Sequence, residues 1–450
     1  MKLICVPIAI LLFGAFATSS TGETLEEALA MAYTSNPQLQ AGRAELRASF
    51  EQLTQAKAAR LPGVQVDASA GANILTQSSP FFSSSETFYP NSIGISGNQI
   101  LYNGGNIRGN IDIAAVNVQI SRNNLRNLEQ QVLQDTSRAY VDVQQNTEIV
   151  RIRTNNVEVL LQQLSAAGDR FTVGEITRTG VSQAKARAAG ARSQLAVAKS
   201  NLAIARAAYE RNVGQAPGSL YEVSLPKNLP DGLVTAITWA QSHAPALQNA
   251  RLAELSAVHG IRVAKSGLRP RLSLGAQART ANNSGFSGAE SDSVSTALNF
   301  SMPLFTGGLN QSRVREAKQQ ASRARINVLQ VTRVTNEQVS NAWHGLAAAQ
   351  SVIRASEEQV AANQLAFEGV VQEAEVGLRT TLDVLDAEQE LLDARLTLVS
   401  AERDALVAAY SLLAAVGRLN IVDLEIGIAP IEGLEKQRKL GSSWFSTHIE

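Results

Sequence analysis

The sequence predicts an α+β chain, mostly α, built as a duplicated unit in which strand pairs alternate with very long helices. Three observations predict it. A break of the form Val-Gly followed by a helix start occurs at Val173-Gly174 and again at Val376-Gly377, 203 positions apart. Two regions in each half alternate with period two, which marks strands. Between them, proline-free stretches such as 107–171 carry apolar or small residues (Ile107, Ile111, Ala114, Val118, then Leu125) in steps of three and four or their sum, seven. Such steps average to the coiled-coil period, and some 65 residues at ~1.5 Å each give about 100 Å of helix.

In order, Lys2 followed by the apolar run Ile4 to Phe16 and the small residues around Ala15-Phe16-Ala17 have the form of a secretory signal over 1–17. The one cysteine, Cys5, falls inside it, so an exported chain folds without disulfides. The first repeat spans 18–213. Thr24 caps a short helix with Glu27 three residues on, Asn36-Pro37 turns into a second, and Leu61-Pro62-Gly63 stops it. A strand is predicted over about 64–75, a Ser-rich loop over 77–90 and a second strand over about 92–102, closed by Asn103-Gly104-Gly105. Phe81, Phe82, Phe88 and Tyr89 in that loop suit either a membrane-interface girdle or loop packing. A long helical hairpin completes the repeat.

A proline-bearing linker covers 214–232, and the second repeat, 233–416, follows the same plan. Ala244-Pro245 matches Asn36-Pro37, and Phe305-Thr306-Gly307-Gly308 matches Tyr102-Asn103-Gly104-Gly105. Its strands are predicted over about 271–281 and 293–303. The tail, 417–450, is irregular and mixed in charge.

Composition narrows the function. Basic and acidic residues balance at 40 each, so nothing points to nucleic acid. Aromatics make up only 5%, suiting close-packed helices rather than a large aromatic core. The four histidines lack metal-ligand spacing, and no nucleophile elbow or phosphate loop occurs, so no catalytic, cofactor or metal site is expected. Four strands per chain cannot close a barrel, and edges left open in lipid cost several kcal/mol per backbone group. Either protein covers the edges or several chains pool them; three chains would give twelve strands.

The richest stretch is Val376-Gly377-Leu378-Arg379-Thr380-Thr381-Leu382-Asp383-Val384-Leu385-Asp386-Ala387. Gly377 can end one helix and Thr380 cap the next, while Asp383 and Asp386, spaced i, i+3, share a face. This stretch, the Gly-Gly after each strand pair and the duplicated plan resemble the TolC family of outer-membrane channels, in particular its type I secretion branch. The resemblance covers essentially the whole mature chain. It implies a homotrimer whose twelve strands form one barrel in outer-membrane lipid. Its helices then form a periplasmic tunnel closed at the tips, where a periplasmic adaptor (membrane fusion protein) and an inner-membrane transporter of ABC or RND type dock. No cofactor and no reaction are implied.

On that resemblance, Asp383 and Asp386 are candidates for a gate and cation-selectivity ring. Arg379 is a candidate lock, with Thr179, Glu175 or nothing as its partner, and Val173, Gly174, Val376 and Gly377 are tip and adaptor-contact positions. The bland readings are helix-dipole acids, a solvated turn residue and structural glycines. Two departures weaken the lock: Gly180 stands where relatives carry an aspartate, and Ala374 where they carry a tyrosine. The rival reading is a soluble periplasmic coiled-coil protein like an adaptor. Two enclosed hairpins rather than one, and four strands of about ten residues, speak against it.

Overall fold

The computed structural model describes residues 22–285 and 287–429, so the signal-like segment and the tail beyond 429 lie outside the described residues. The elements run α1 (Leu25–Ser35), α2 (Pro37–Ala58), β1 (Gly63–Ala70), β2 (Asn73–Ser79), β3 (Phe82–Phe88), β4 (Asn91–Asn103), α3 (Asn106–Thr172) and α4 (Arg178–Val213). The second half supplies α5 (Leu233–His243), α6 (Pro245–Ser266), β5 (Arg271–Asn282), β6 (Glu290–Ser301), α7 (Leu309–Glu375) and α8 (Thr381–Ala415). The duplication is exact in helix length where it matters most: α3 and α7 each hold 67 residues, α2 and α6 each 22. At ~1.5 Å per residue the two long helices reach about 100 Å.

The sequence signals that start these helices act as expected at several ends. Thr24 closes a capping box with Glu27 on α1, and Asn36 accepts from the Gln38 N–H ahead of Pro37 at the start of α2. Ala244 starts α6 with no side-chain cap.

Two strand assignments change. The strand predicted over 64–75 is two strands, β1 and β2, separated at Gly71-Ala72, where the Gly71 N–H turns to the Pro90 carbonyl at 2.9 Å. The Ser-rich stretch predicted as a loop folds into the β2–β3 hairpin, register Asn73↔Phe88 to Ser79↔Phe82, around Pro80-Phe81. Serines on both faces mask its period-two pattern. Within it Phe88 is buried, while Phe81 and Tyr89 are 99% and 65% exposed, so the four aromatics do not form one packed cluster.

The four remaining strands make one antiparallel sheet in the order β1-β4-β5-β6. Its register runs from Gly63↔Asn98 through Ile95↔Ala278 to Leu298↔Leu274. β1 and β6 each have one unpaired edge. β6 is exposed along its whole length, with Val294, Leu298 and Phe300 among the most exposed apolar residues. Among the described residues no helix is long and apolar enough to cross a membrane.

Below the sheet the helices stand side by side. α3 packs on α4 and α7 on α8 to form two hairpins, and α3 also contacts α8, so the hairpins join through their α3 and α8 members. The short helices dock on the upper part of this bundle, α1 on α3 and α5 on α7. Here the core is widest. Tyr140 and Tyr209 are fully buried. The Tyr140 hydroxyl lies 2.7 Å from the Glu23 carbonyl and 2.8 Å from that of Tyr221, and Tyr209 donates to Glu23 Oε1. The linker between the repeats is thereby pinned to the N-terminal segment, which it also meets in the Glu23↔Leu220 bridge.

The start of the tail is part of this core. Leu419, Ile421 and Ile426 are buried among residues of α1, α3 and α4. The turn that sends the chain there is Gly417, at φ +77, where an added Cβ would lie 2.5 Å from the His243 carbonyl carbon. Both the left-handed backbone and the contact with another backbone exclude a side chain. Gly417→Ala is therefore expected to cost at least about 1–2 kcal/mol from conformation alone. A thermal melt should show a lowered midpoint; an unchanged one would mean that this turn relaxes freely.

Candidate functional site at the hairpin tips

Both hairpins reverse by the same geometry. At the first tip Gly174 takes φ +78, the Gly174 N–H donates to the Phe171 carbonyl and Glu175 N–H to that of Arg170. At the second, Gly377 takes φ +79, its N–H donates to Ala374 and Leu378 N–H to Glu373. The bond from two residues beyond the helix satisfies a carbonyl that the helix end leaves open, and glycine supplies the left-handed turn. Val173 and Val376 are both 71% exposed beside these glycines, so each tip presents an apolar side chain to solvent.

The restarting helices differ. Thr380 and Asp383 form a complete capping box: Thr380 N–H and hydroxyl both donate to Asp383 Oδ2 at 2.8 Å, and Asp383 N–H donates back to Thr380 Oγ1. At the equivalent place in the first repeat, Thr177 is the cap without a side-chain bond and Gly180 stands where Asp383 would. Asp383 and Asp386 thus have no acidic counterparts in the first repeat, where Gly180 and Gln183 stand. The Thr380 backbone N–H, then its hydroxyl, holds the Asp383 carboxyl below the usual range, so it is ionised at neutral pH.

The two acids share an end of α8 and face different partners. Asp386 Oδ1 accepts from Arg187 Nη2 of α4 at 2.7 Å, which ties the second hairpin to the first. Arg379 donates through Nε to Glu373 Oε2 at 2.8 Å, across its own tip. The Glu373 bond and charge raise its guanidinium further above its already basic value. Within the chain, Thr179 and Glu175 make no hydrogen bond or ion pair with Arg379. Glu373 lies six residues away over a tight reversal. The expected lock partners are therefore not met inside one chain.

Above the tips, a seam joins α3 to α8. Gln134 donates to Ser411, Arg403 to Asp142, Gln145 to Ser400 and Asn156 to Glu388, a descending series of polar links between antiparallel helices. The lowest link is buried: Asn156 is 6% and Glu388 7% exposed. Beside it Val157, Leu160, Ala188, Ala191 and Leu385 form an apolar cluster of both hairpins. Asn156 Nδ2 reaches Glu388 Oε1 at 3.1 Å, and Glu388 Oε2 has no partner. Sequence reasoning missed both Glu388 and Arg187. For Glu388 a signal existed, since it falls between Leu385 and Leu392 on the apolar stripe.

Burial pushes the Glu388 carboxyl up from 4.5 to about 7, with the Asn156 bond opposing. Ionisation is thus disfavoured only in the packed seam. Its stability is full below the ordinary value, falls as pH rises from 4.5 to about 7, and loses on the order of 3 kcal/mol by linkage. Hydrogen-exchange protection of α3 and α8 near residues 156 and 388 should decline over that window. In Glu388→Gln it should stay flat; a variant that keeps the wild-type profile would assign the titration to another group.

Among the described residues no group of three or more His, Cys, Asp or Glu side chains is placed to hold a metal ion. The model of the family described as "Outer membrane efflux protein" matches residues 28–215 and 236–418. The chain is 33% identical over 443 residues, 98% of its own length and 96% of the relative's, to outer membrane efflux protein BepC of Brucella suis biovar 1 (strain 1330). It is 26% identical to outer membrane protein TolC of Salmonella enteritidis, covering 94% of this chain and 87% of that protein. The crystal structure of the Campylobacter jejuni CmeC outer membrane channel superposes with a TM-score of 0.77 at 16% identity over 98% of both chains. The TolC-like, mostly α architecture expected from the resemblance is therefore the fold of this protein, and its relatives are transport ducts rather than enzymes. The chain belongs to the outer membrane efflux protein family.

Proposed function

We propose that three copies of this chain pool their sheets into one twelve-stranded barrel in the outer membrane, and that their helices form a duct through the periplasm. The observation that carries this reading is the β1-β4-β5-β6 sheet, which has two free edges and apolar residues exposed along β6. A sheet in hydrocarbon needs every edge paired, and closure by identical copies meets that need. The same boundaries divide the chain into a signal, 1–17, two repeats, 18–213 and 233–416, a linker and a tail.

The substrate enters at the tips from an inner-membrane transporter, of ABC or RND type, through a periplasmic adaptor, in drug efflux or type I secretion. The exposed Val173 and Val376, held by Gly174 and Gly377, are the adaptor-facing positions. Asp383 and Asp386 of three copies bring six carboxylates to the narrowest point, where they favour cations and can hold one that blocks flow. Arg379 reaches Thr179 or Glu175 of another hairpin only by giving up Glu373, so the closed end is lightly latched.

Two measurements test this reading. Detergent-extracted protein from the outer-membrane fraction should have close to three times the mass of the 48.0 kDa chain before signal removal. A soluble periplasmic monomer would leave the adaptor-like reading standing. In planar bilayers, Asp383→Ala with Asp386→Ala should reduce cation selectivity and block by multivalent cations; unchanged values would remove these acids from the pore.

A further inference from the structure

A cleft of about 670 Å³ lies between α2, α3, α6 and the segment after α8, and four arginines line it: Arg43, Arg47, Arg122 and Arg126. Their placement follows from the helix register. A Cβ on Gly42 of α2 would meet Leu128 Cδ2 at 2.8 Å and Leu125 Cδ1 at 3.1 Å on α3. In this antiparallel pair Arg43 therefore stands across from Arg126, and Arg47 across from Arg122. Each helix contributes its two at i, i+4, on one face, so the four positions mark the corners of a rectangle of like charge.

Such an arrangement is unfavourable without an anion, because like charges at this spacing repel. Among the described residues lining the cleft, one carboxylate stands against these four charges. No ion pair to any of the four occurs among the described residues. Arg43 is occupied at one edge: Nη2 donates to the Tyr33 carbonyl at 2.8 Å, and its guanidinium lies 4.9 Å over the Tyr33 ring. Arg122 Nε is buried and has no hydrogen-bond partner. Glu129 is the single carboxylate lining the cleft. Burial raises its pKa, with the Ile421 backbone and the charges of Arg43 and Arg126 acting against it. The buried amides of Asn123 and Gln130 add neutral hydrogen-bonding groups to the wall.

We infer that this cleft binds a small, multiply charged oxyanion, of the phosphate or polycarboxylate class, between the opposed arginine pairs of α2 and α3. Arginine forks match such oxygens two at a time, and charge-assisted bonds are the strongest available to a partly open site. The anion is a soluble one. Arg122 and Arg126 lie 16 and 20 residues into α3 from Asn106, which is about 24–30 Å of helix beyond the sheet. A lipid headgroup layer adds only about 5–8 Å to the hydrocarbon core on each side.

The test uses the full-length detergent-solubilised protein and pyrophosphate as probe, titrated calorimetrically at fixed ionic strength. Saturable binding at one site per chain is expected. Arg126→Gln should weaken it by about tenfold or more, the loss of one charge-assisted contact. Arg47→Gln with Arg122→Gln should abolish it. Without the anion, that double variant should melt no lower than the wild type, because opposed cations have been removed. Absent saturation, or equal affinity in Arg126→Gln, overturns the inference. So does a lowered anion-free melting point in the double variant, which would show that acids of another copy already pair with these arginines. None of these readouts involves conduction, so the outcome is independent of the duct reading.

Discussion

The constraint on which the rest depends is the pairing of backbone groups at the edges of the four-stranded sheet. β1 and β6 each leave one row of N–H and C=O groups open. In water such an edge invites aggregation, and in hydrocarbon it costs several kcal/mol per unpaired group. Closure by further copies resolves both. It also fixes where the helices go, since α3 and α7 leave the sheet directly after β4 and β6 and run down from its rim. In the proposed closed barrel, that exit places the helices as a ring beneath the sheet.

Helices about 100 Å long packed side by side need a lateral contact that is close and regular. The chain meets this with alanine. On α4 the buried positions Ala184, Ala188, Ala191, Ala198 and Ala205 follow steps of three, four and seven, and on α8 Ala394, Ala401, Ala405 and Ala409 do similar work. Small side chains let helix axes approach and leave the specificity of pairing to polar links. The α3–α8 seam is the case in point. Its series from Gln134–Ser411 to Asn156–Glu388 fixes register between helices whose apolar surface alone would tolerate sliding. The lowest member is the one with a cost, since Glu388 keeps one oxygen buried and unpaired. A group left short of a partner at the end of a seam is a place where two hairpins part easily.

Much of this was legible in the sequence, and what was not has physical reasons. The duplication, the long helices, the Thr24 and Thr380 boxes and the tip glycines all rest on local chemistry, which a single chain states openly. The β2–β3 hairpin was hidden because Ser83, Ser84 and Ser85 give no contrast between its faces. The candidate lock role of Arg379 came from the family resemblance; its contact with Glu373 inside the chain crosses a reversal whose closeness only coordinates show. Arg187 had no signal at all: its link to Asp386 spans 199 positions and depends on how two hairpins stand together. Glu388 did carry one, a carboxylate on an apolar stripe.

The two tips show what duplication leaves free to change. Their reversals are nearly superposable in angle, Val173 at φ −93 and ψ 2 against Val376 at φ −93 and ψ 7. That geometry is held by backbone bonds and one glycine, so it constrains few side chains. The next turn is where the repeats diverge, with Asp383 and Asp386 in one and Gly180 and Gln183 in the other. Asp383 serves the helix start, as its cap, and the same cap holds it ionised. The interaction that stabilises the fold at the second tip is therefore also the one that fixes a negative charge there. The first tip lacks that cap and has no carboxylate at these two positions, its acid being the exposed Glu175, and Arg187 of its returning helix bonds to Asp386. The capped aspartate is thus specific to the second repeat, while the link that holds its neighbour Asp386 comes from the first.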